Sequence, residues 1–302
     1  MKKYWVADIG GTNCRLAEFS EDFQLNNMVW RKTAEIADAK VLSSAFRHHF
    51  GSEEDVSASI MAMAGPCTED KGALSNGSLC LSASELESEF SAPCKIVNDF
   101  VAQAYGLNCI DCAKLVYGQQ QEGASVLVGA GTGLGVAVLC STGGESMAFP
   151  SEGGHVAYPF EPEEYGFADF LREQNKQTLI CAEDVLSGSG LVNLCRYLTK
   201  KTLSAKEIGT QFLQSESEVL QWFARFYGRF CRGWLLNFLP KGGLWITGGI
   251  ALNNPLCVRS SYFRAEITKI QYAHIETYPV YLLDNQNVGL WGAAYLASRL
   301  KV

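Results

Sequence analysis

The opening stretch YWVADIGGTNCRLAEF, Tyr4 to Phe19, constrains the fold more than any other part of the chain. An apolar run broken only by Asp8 meets Gly10-Gly11-Thr12-Asn13, and alternation resumes through Leu16, Ala17, Glu18 and Phe19. That pattern predicts strand, tight turn, strand. Gly10 and Gly11 can take backbone angles closed to other residues and let a ligand approach main-chain N–H groups, while Thr12 and Asn13 add side-chain donors. Such a turn can hold phosphate, and it can equally be a plain edge hairpin. Asp8 stands at its mouth, where a carboxylate repels phosphate directly but binds it through Mg²⁺ or its waters. The turn lacks the lysine of a P-loop, and a strand rather than a helix is expected to follow it.

A chain of 302 residues is long enough for two domains with ample core. The net charge of −7, without a basic run or basic helix face, argues against nucleic acid as partner. No segment reaches the roughly 18 uninterrupted apolar residues of a membrane helix, and the N-terminal apolar run is too short for a signal peptide. A cytoplasmic protein is expected. The 11 cysteines are scattered through apolar runs, as at Cys14, Cys94, Cys140 and Cys231, and read as buried free thiols. Cys109 and Cys112 form a lone CxxC without a second pair or clustered histidines to complete a zinc site.

Further along, Asn27 to Lys32 reads as a third strand and Ala37 to Phe50 as a helix with Val41, Leu42, Ala45 and Phe46 on one face. Ser57 to Ala64 is a buried strand. Leu74 to Ser78 is a turn carrying Asn76, and Ser84 opens a helix with Glu87 in the capping-box place. Lys95 to Val97 is a short strand that ends in Asn98-Asp99 before a helix from Phe100 to Leu107. In open α/β sheets functional groups collect outside the carboxyl ends of strands, although Asp99 could instead only cap the helix.

Ser125 to Leu139, SVLVGAGTGLGVAVL, repeats the opening hairpin 120 residues later, with Gly131-Thr132 matching Gly11-Thr12 and Val128 in the place of Asp8. Only the first loop can present a metal-facing acid. Leu134 stands where a dinucleotide fingerprint needs its last glycine. Pro150 to His155, PSEGGH, places Glu152 and His155 on a glycine-rich loop; an isolated loop histidine is more often a hydrogen-bonding group than a base. Cys181 to Leu191 brings Glu183, open to reading as a solvated helix-end acid, and a Ser-Gly-Ser-Gly turn ahead of a helix from Leu191 to Lys200. Ser217 to Leu239 is a long core helix. A strand at Leu244 to Thr247 runs into a third glycine turn, Gly248-Gly249, followed by a last strand, Val280 to Leu283, and a final amphipathic helix, Val288 to Leu300.

Three glycine turns at strand ends suit one cleft between two α/β halves, the first two holding phosphates and the third bordering a base. Asn76, Asn98, Asp99, Glu152, His155 and Glu183 are the carboxylates, amides and imidazole that bind neutral polyols. Phosphate donor and polyol acceptor together imply a sugar kinase.

DIGGTN, the Asn98-Asp99 pair, GAGTGLG, EGGH, AEDVLSGSGL and ITGGI, in this order, resemble the bacterial glucokinase family of the hexokinase/actin-like ATPase superfamily over nearly the whole chain. The resemblance implies two ribonuclease-H-like domains around a central cleft and ATP-dependent transfer to the 6-hydroxyl of glucose. It implies Asp99 as base, with Asn76, Asn98, Glu152, His155 and Glu183 on the sugar. Asp8, Gly10, Gly11, Thr12, Asn13, Gly131, Thr132 and Gly133 fall to the phosphates and Mg²⁺, and Gly248 and Gly249 to the adenosine. The cysteine-rich zinc motif of the related repressor-containing kinases is missing.

Cys14, where the family usually has alanine, and Ser151, where glycine is expected, are departures. Loops around 108 to 122 and 200 to 210 are expected to be short. A small domain of residues 1–108 with 288–302 and a large one of 109–287 are expected; a homodimer is left open. The alternatives are a kinase for another hexose or amino sugar, and a non-catalytic sugar sensor with the same cleft.

Overall fold

The computed structural model describes residues 2–109, 113–119, 122–270 and 274–300. Cys112 lies outside them, so the CxxC pair is not described. The chain divides into two compact units, Met1–Asp111 with Asn285–Val302, and Cys112–Asp284.

In the first unit, β1 (Lys3–Ile9), β2 (Asn13–Ser20) and β3 (Leu25–Lys32) form an antiparallel meander, and β4 (Val56–Met63) adds parallel to β1. The short strands β5 (Lys71–Ala73) and β6 (Cys80–Ser82) pair with each other, and β7 (Cys94–Asn98) completes the order β3-β2-β1-β4-β7, parallel to β4. Alternation along β1 divides its side chains between two faces. Trp5, Ala7 and Ile9 enter a core with Leu42, Phe46, Leu86 and Phe90 of the helices Ala39–Phe50 and Ala83–Phe90. Trp5 stacks on Phe46 at 5.2 Å and meets Phe90 edge-on at 5.5 Å. Tyr4 and Val6 point the other way, against Ala102, Leu290 and Ala294 of the helices Asp99–Gly106 and Val288–Arg299. These two helices touch through small residues: a Cβ on Gly292 would lie 1.7 Å from the Ala102 carbonyl oxygen.

The second unit holds β8 (Ala113–Tyr117), β9 (Ser125–Ala130), β10 (Leu134–Thr142), β11 (Glu145–Ser151), β12 (Gly243–Thr247) and β13 (Val280–Leu283), in the order β11-β10-β9-β12-β13-β8. Its first five strands repeat the order and directions of the first sheet: β11, β10 and β9 are antiparallel, and β9, β12 and β13 are parallel. The duplication read from the two hairpins is therefore a duplication of whole sheets. The helix Glu218–Phe238 lays Val219, Phe223, Phe226, Tyr227 and Phe230 into the core of this unit. Among the described residues no helix is long and apolar enough to cross a membrane.

Several local expectations are corrected. Val41 is exposed, because the helix turns its Leu42 and Phe46 inward. Ser82, not Ser84, caps the second helix, and Glu87 accepts from the Cys94 N–H at 3.0 Å instead of completing a capping box. The Ser-Gly-Ser-Gly segment is not a turn ahead of a helix but its first turn: Ser187 caps Gly188–Thr199. β8 and β11 fall in stretches without a clear alternating pattern. The segment around 200 to 210 carries a helix, Ala205–Phe212, closed by a reciprocal Ser204–Glu207 capping box.

Candidate active site

β1, β4 and β7 are adjacent and parallel, so their carboxyl ends share one edge of the first sheet. The loops leaving that edge carry the sequence-predicted groups of this unit. After β1 the turn closes through Gly10 N–H to Asn13 O at 3.1 Å, and Thr33 Oγ1 donates to Gly10 O at 2.7 Å. Neither Gly10 nor Gly11 has positive φ, contrary to the expectation of unusual backbone angles. Close approach is what requires Gly11: a Cβ there would stand 3.1 Å from the Asn76 carbonyl oxygen. The phosphate-type turn and the segment bearing Asn76 are thus in contact. Gly11, Thr12 and Asn13 remain exposed, with Lys32 Nζ donating to Asn13 Oδ1 at 3.1 Å.

Asp8 faces Arg15 across the hairpin, whose guanidinium binds Asp8 Oδ2 and donates to Asn287 Oδ1 at 3.0 Å. Arg15 was not among the predicted site residues. The hairpin register contained the signal, since a turn joining Ile9 to Cys14 makes Asp8 and Arg15 cross-strand partners. Burial pushes the Asp8 carboxyl above its ordinary value, and Arg15 pulls it only part of the way back.

Asn98 and Asp99 divide the roles that the sequence left open. Asn98 is the helix cap: its Oδ1 accepts from Phe100 N–H at 2.9 Å and Val101 N–H at 3.3 Å. Its Nδ2 donates to Gly65 O at 3.1 Å, tying the end of β7 to the loop after β4. Asp99 is the first residue of the helix, and capping does not explain it. The Asp99 charge adds to the burial that pushes the Cys67 thiol up to about 11, which locates the carboxylate near the Gly65-Pro66-Cys67 loop.

In the second unit, Gly131 to Gly133 follow β9 and Gly248-Gly249 follow its parallel neighbour β12. Gly248 has φ +88°, and a Cβ on it would lie 2.4 Å from Ala130 O, so this turn requires glycine on both counts. Gly188 N–H donates to Gly131 O at 2.8 Å. Glu183 is not merely a solvated helix-end acid: its Oε2 accepts from Leu134 N–H at 2.7 Å and abuts Gly133. Gly154 packs on Leu134 as well, where a Cβ would meet its carbonyl oxygen at 2.1 Å. The Glu152–His155 loop and Glu183 are therefore fastened to the same turn. His155 Nδ1 lies 3.0 Å from Glu152 Oε2, and both side chains are mostly exposed. A carboxylate only accepts, so Nδ1 is the donor in this contact.

A cavity of about 570 Å³, within the range of small-molecule pockets, opens beside these turns. Gly131, Thr132, Gly188, Gly249, Gln214 and Asn254 are among its lining residues. Gln214 Nε2 donates to Asn254 Oδ1 at 2.8 Å, and Asn254 Nδ2 to Ile250 O at 2.9 Å, which fixes both amides. The helix Ala205–Phe212 supplies further wall residues from a stretch whose sequence reads as a loop.

The glucokinase family model matches residues 5–300. The chain belongs to the glucokinase family. The glucokinase of Tolumonas auensis is 33% identical over 315 residues, covering 98% of this chain and 97% of that protein. An Escherichia coli glucokinase is 32% identical, covering 97% and 96%. Among solved structures, a glucokinase from an Antarctic psychrotroph superposes with TM-score 0.84 at 27% identity, covering 99% of this chain and 100% of that one. The glucokinase of Balamuthia mandrillaris, solved in complex with glucose, gives 0.83 at 26% identity, covering 98% and 93%. The duplicated sheets are those of the actin-like ATPase fold that the glucokinase family shares.

Proposed function

We propose that this glucokinase-family chain transfers the γ-phosphoryl group of ATP to the 6-hydroxyl of glucose, with Asp99 as the general base. The observation that carries the reading is the division of labour at the end of β7: Asn98 takes the capping role and Asp99 begins the helix at the shared carboxyl edge. Asn76, Asn98, Glu152, His155 and Glu183 are the residues assigned to the sugar hydroxyls. Asp8, Gly10 to Asn13, Gly131, Thr132 and Gly133 serve the phosphates, and Gly248 and Gly249 border the adenosine, whose place is the cavity beside Thr132.

In the reaction the sugar O6 forms a bond to the γ-phosphorus as the bond to the β-bridging oxygen breaks. The hydroxyl proton passes to Asp99, and ADP leaves. Such transfer depends mainly on positioning and charge neutralisation, to which an aligned base adds on the order of 10²- to 10⁴-fold. Asp8, whose Oδ2 is held by Arg15, would hold a hydrated Mg²⁺ through its other carboxylate oxygen. Bound there, Mg²⁺ would neutralise phosphate charge. A cytoplasmic location suits a reaction that consumes ATP.

The test is a coupled assay of ADP release against glucose, mannose, fructose, N-acetylglucosamine and N-acetylmannosamine. Turnover confined to glucose supports the reading. Turnover with another sugar keeps the kinase and replaces the substrate, whereas glucose binding without turnover with any of them leaves a sensor.

A further inference from the structure

The nucleotide cavity has an electrostatic shortage. The turn Gly131–Gly133 has no cation of its own, and the Glu183 carboxylate lies against it, with Oε2 only 2.6 Å from where a Cβ on Gly133 would be. A multiply charged anion beside Thr132 is repelled by this carboxylate at the same turn, and the repulsion is screened less in a partly enclosed site than in open water. Backbone N–H groups offset some of this but carry no net charge.

Among the described residues lining the cavity, Lys206 is the only ionisable one. It lies in the first turn of the helix Ala205–Phe212. Ala205, Lys206, Gly209 and Thr210 all reach the cavity, the spacing of one helix face. This face is brought to the phosphate turn by a short chain of contacts: Gly188 N–H donates to Gly131 O at 2.8 Å, and the Cβ position of Gly188 is 3.9 Å from the Ala205 Cβ. The neighbouring acid, Glu207, is turned back on Ser204, its Oε2 accepting from the Ser204 N–H at 2.8 Å, so it does not oppose the lysine at the cavity wall.

We propose that Lys206 binds the phosphate chain of the nucleotide and supplies the positive charge that the Gly131–Gly133 turn lacks. The inference rests on the nucleotide reading of this cavity. A long lysine is suited to it as a mobile point charge, able to follow the phosphates without fixed geometry. Because Lys206 is exposed, water screens the interaction and its contribution is moderate.

The test is calorimetric titration of the full chain with ADP and with adenosine, for the wild type, Lys206→Gln, Lys206→Arg and, as a block of the cavity, Ala205→Trp. The expected result is about tenfold weaker ADP binding for Lys206→Gln, within the range of a charge-assisted hydrogen bond. Adenosine affinity should change less than about twofold, Lys206→Arg should restore most of the ADP affinity, and Ala205→Trp should weaken both ligands. If Lys206→Gln binds ADP like the wild type while Ala205→Trp does not, the cavity holds the nucleotide and the lysine is only a solvated charge. Equal losses for ADP and adenosine would overturn the phosphate role. Normal binding by Ala205→Trp would overturn the cavity assignment itself, and the inference with it.

Discussion

Asn98 offers the most informative perturbation, because one amide makes bonds of two separable kinds. Its oxygen caps the helix that begins with Asp99, and its nitrogen holds the Gly65 carbonyl. Asn98→Ala removes both. Losing an N-cap costs about 1 kcal/mol, and leaving a half-buried carbonyl without its donor costs about 1–2 kcal/mol more. The expected destabilisation is therefore ~2–3 kcal/mol. Asn98→Ser keeps a capping oxygen but has no amide to reach Gly65, so only the second part, about 1–2 kcal/mol, should be lost. Urea unfolding of the three proteins measures the difference. Glucose turnover should fall in both variants, since the loop after β4 and the first turn of the Asp99 helix are no longer tied. If Ser and Ala are equally destabilising, or if Ala lies within about 0.5 kcal/mol of the wild type, Asn98 does not hold this edge together.

Gly248→Ala should fail to reach the native fold or lose more than about 3 kcal/mol, because it combines a positive φ with a Cβ 2.4 Å from Ala130 O; soluble yield and circular dichroism report it. Alkaline stability follows from the buried thiols: Cys14 is pushed up to about 11, and Cys94 and Cys257 to about 12. Between pH 9 and 11 the unfolded thiols lose protons that the folded ones keep. Their contribution is intact below about pH 8 and declines above it, by ~4 kcal/mol for the three at pH 10 when the unfolded thiols titrate near 9. A urea midpoint that stays constant from pH 8 to 10.5 would contradict this.

What the sequence revealed was set by how local the signal was. The glycine turns are legible because each follows directly on an apolar strand, so periodicity and turn chemistry agree at one place. Asn98 and Asp99 could not be ordered, since both residue types cap helices and only the φ, ψ and bonds of the folded chain decide between them. Gly11 needs no unusual backbone angle; what its sequence neighbours do not show is the tight contact with Asn76, which lies 65 residues on. Arg15 was overlooked although the hairpin register implied it. The helix Ala205–Phe212 was missed despite its Ser204–Glu207 capping signature, and with it Lys206 and the wall leading to Gln214 and Asn254. β8 and β11 are edge strands of the second sheet, and their half-solvated side chains carry little hydrophobic pattern.

If Asp99 takes the proton from the sugar hydroxyl, Asp99→Asn separates turnover from glucose affinity when both are measured on the same preparation. The amide keeps the size of the side chain and can still hydrogen-bond a hydroxyl, but it cannot accept its proton. The expected result is a fall in kcat of at least about 10²-fold with glucose binding, followed by calorimetry, changed far less. A parallel loss of turnover and affinity would make Asp99 a binding residue, and unimpaired turnover would remove it from the mechanism.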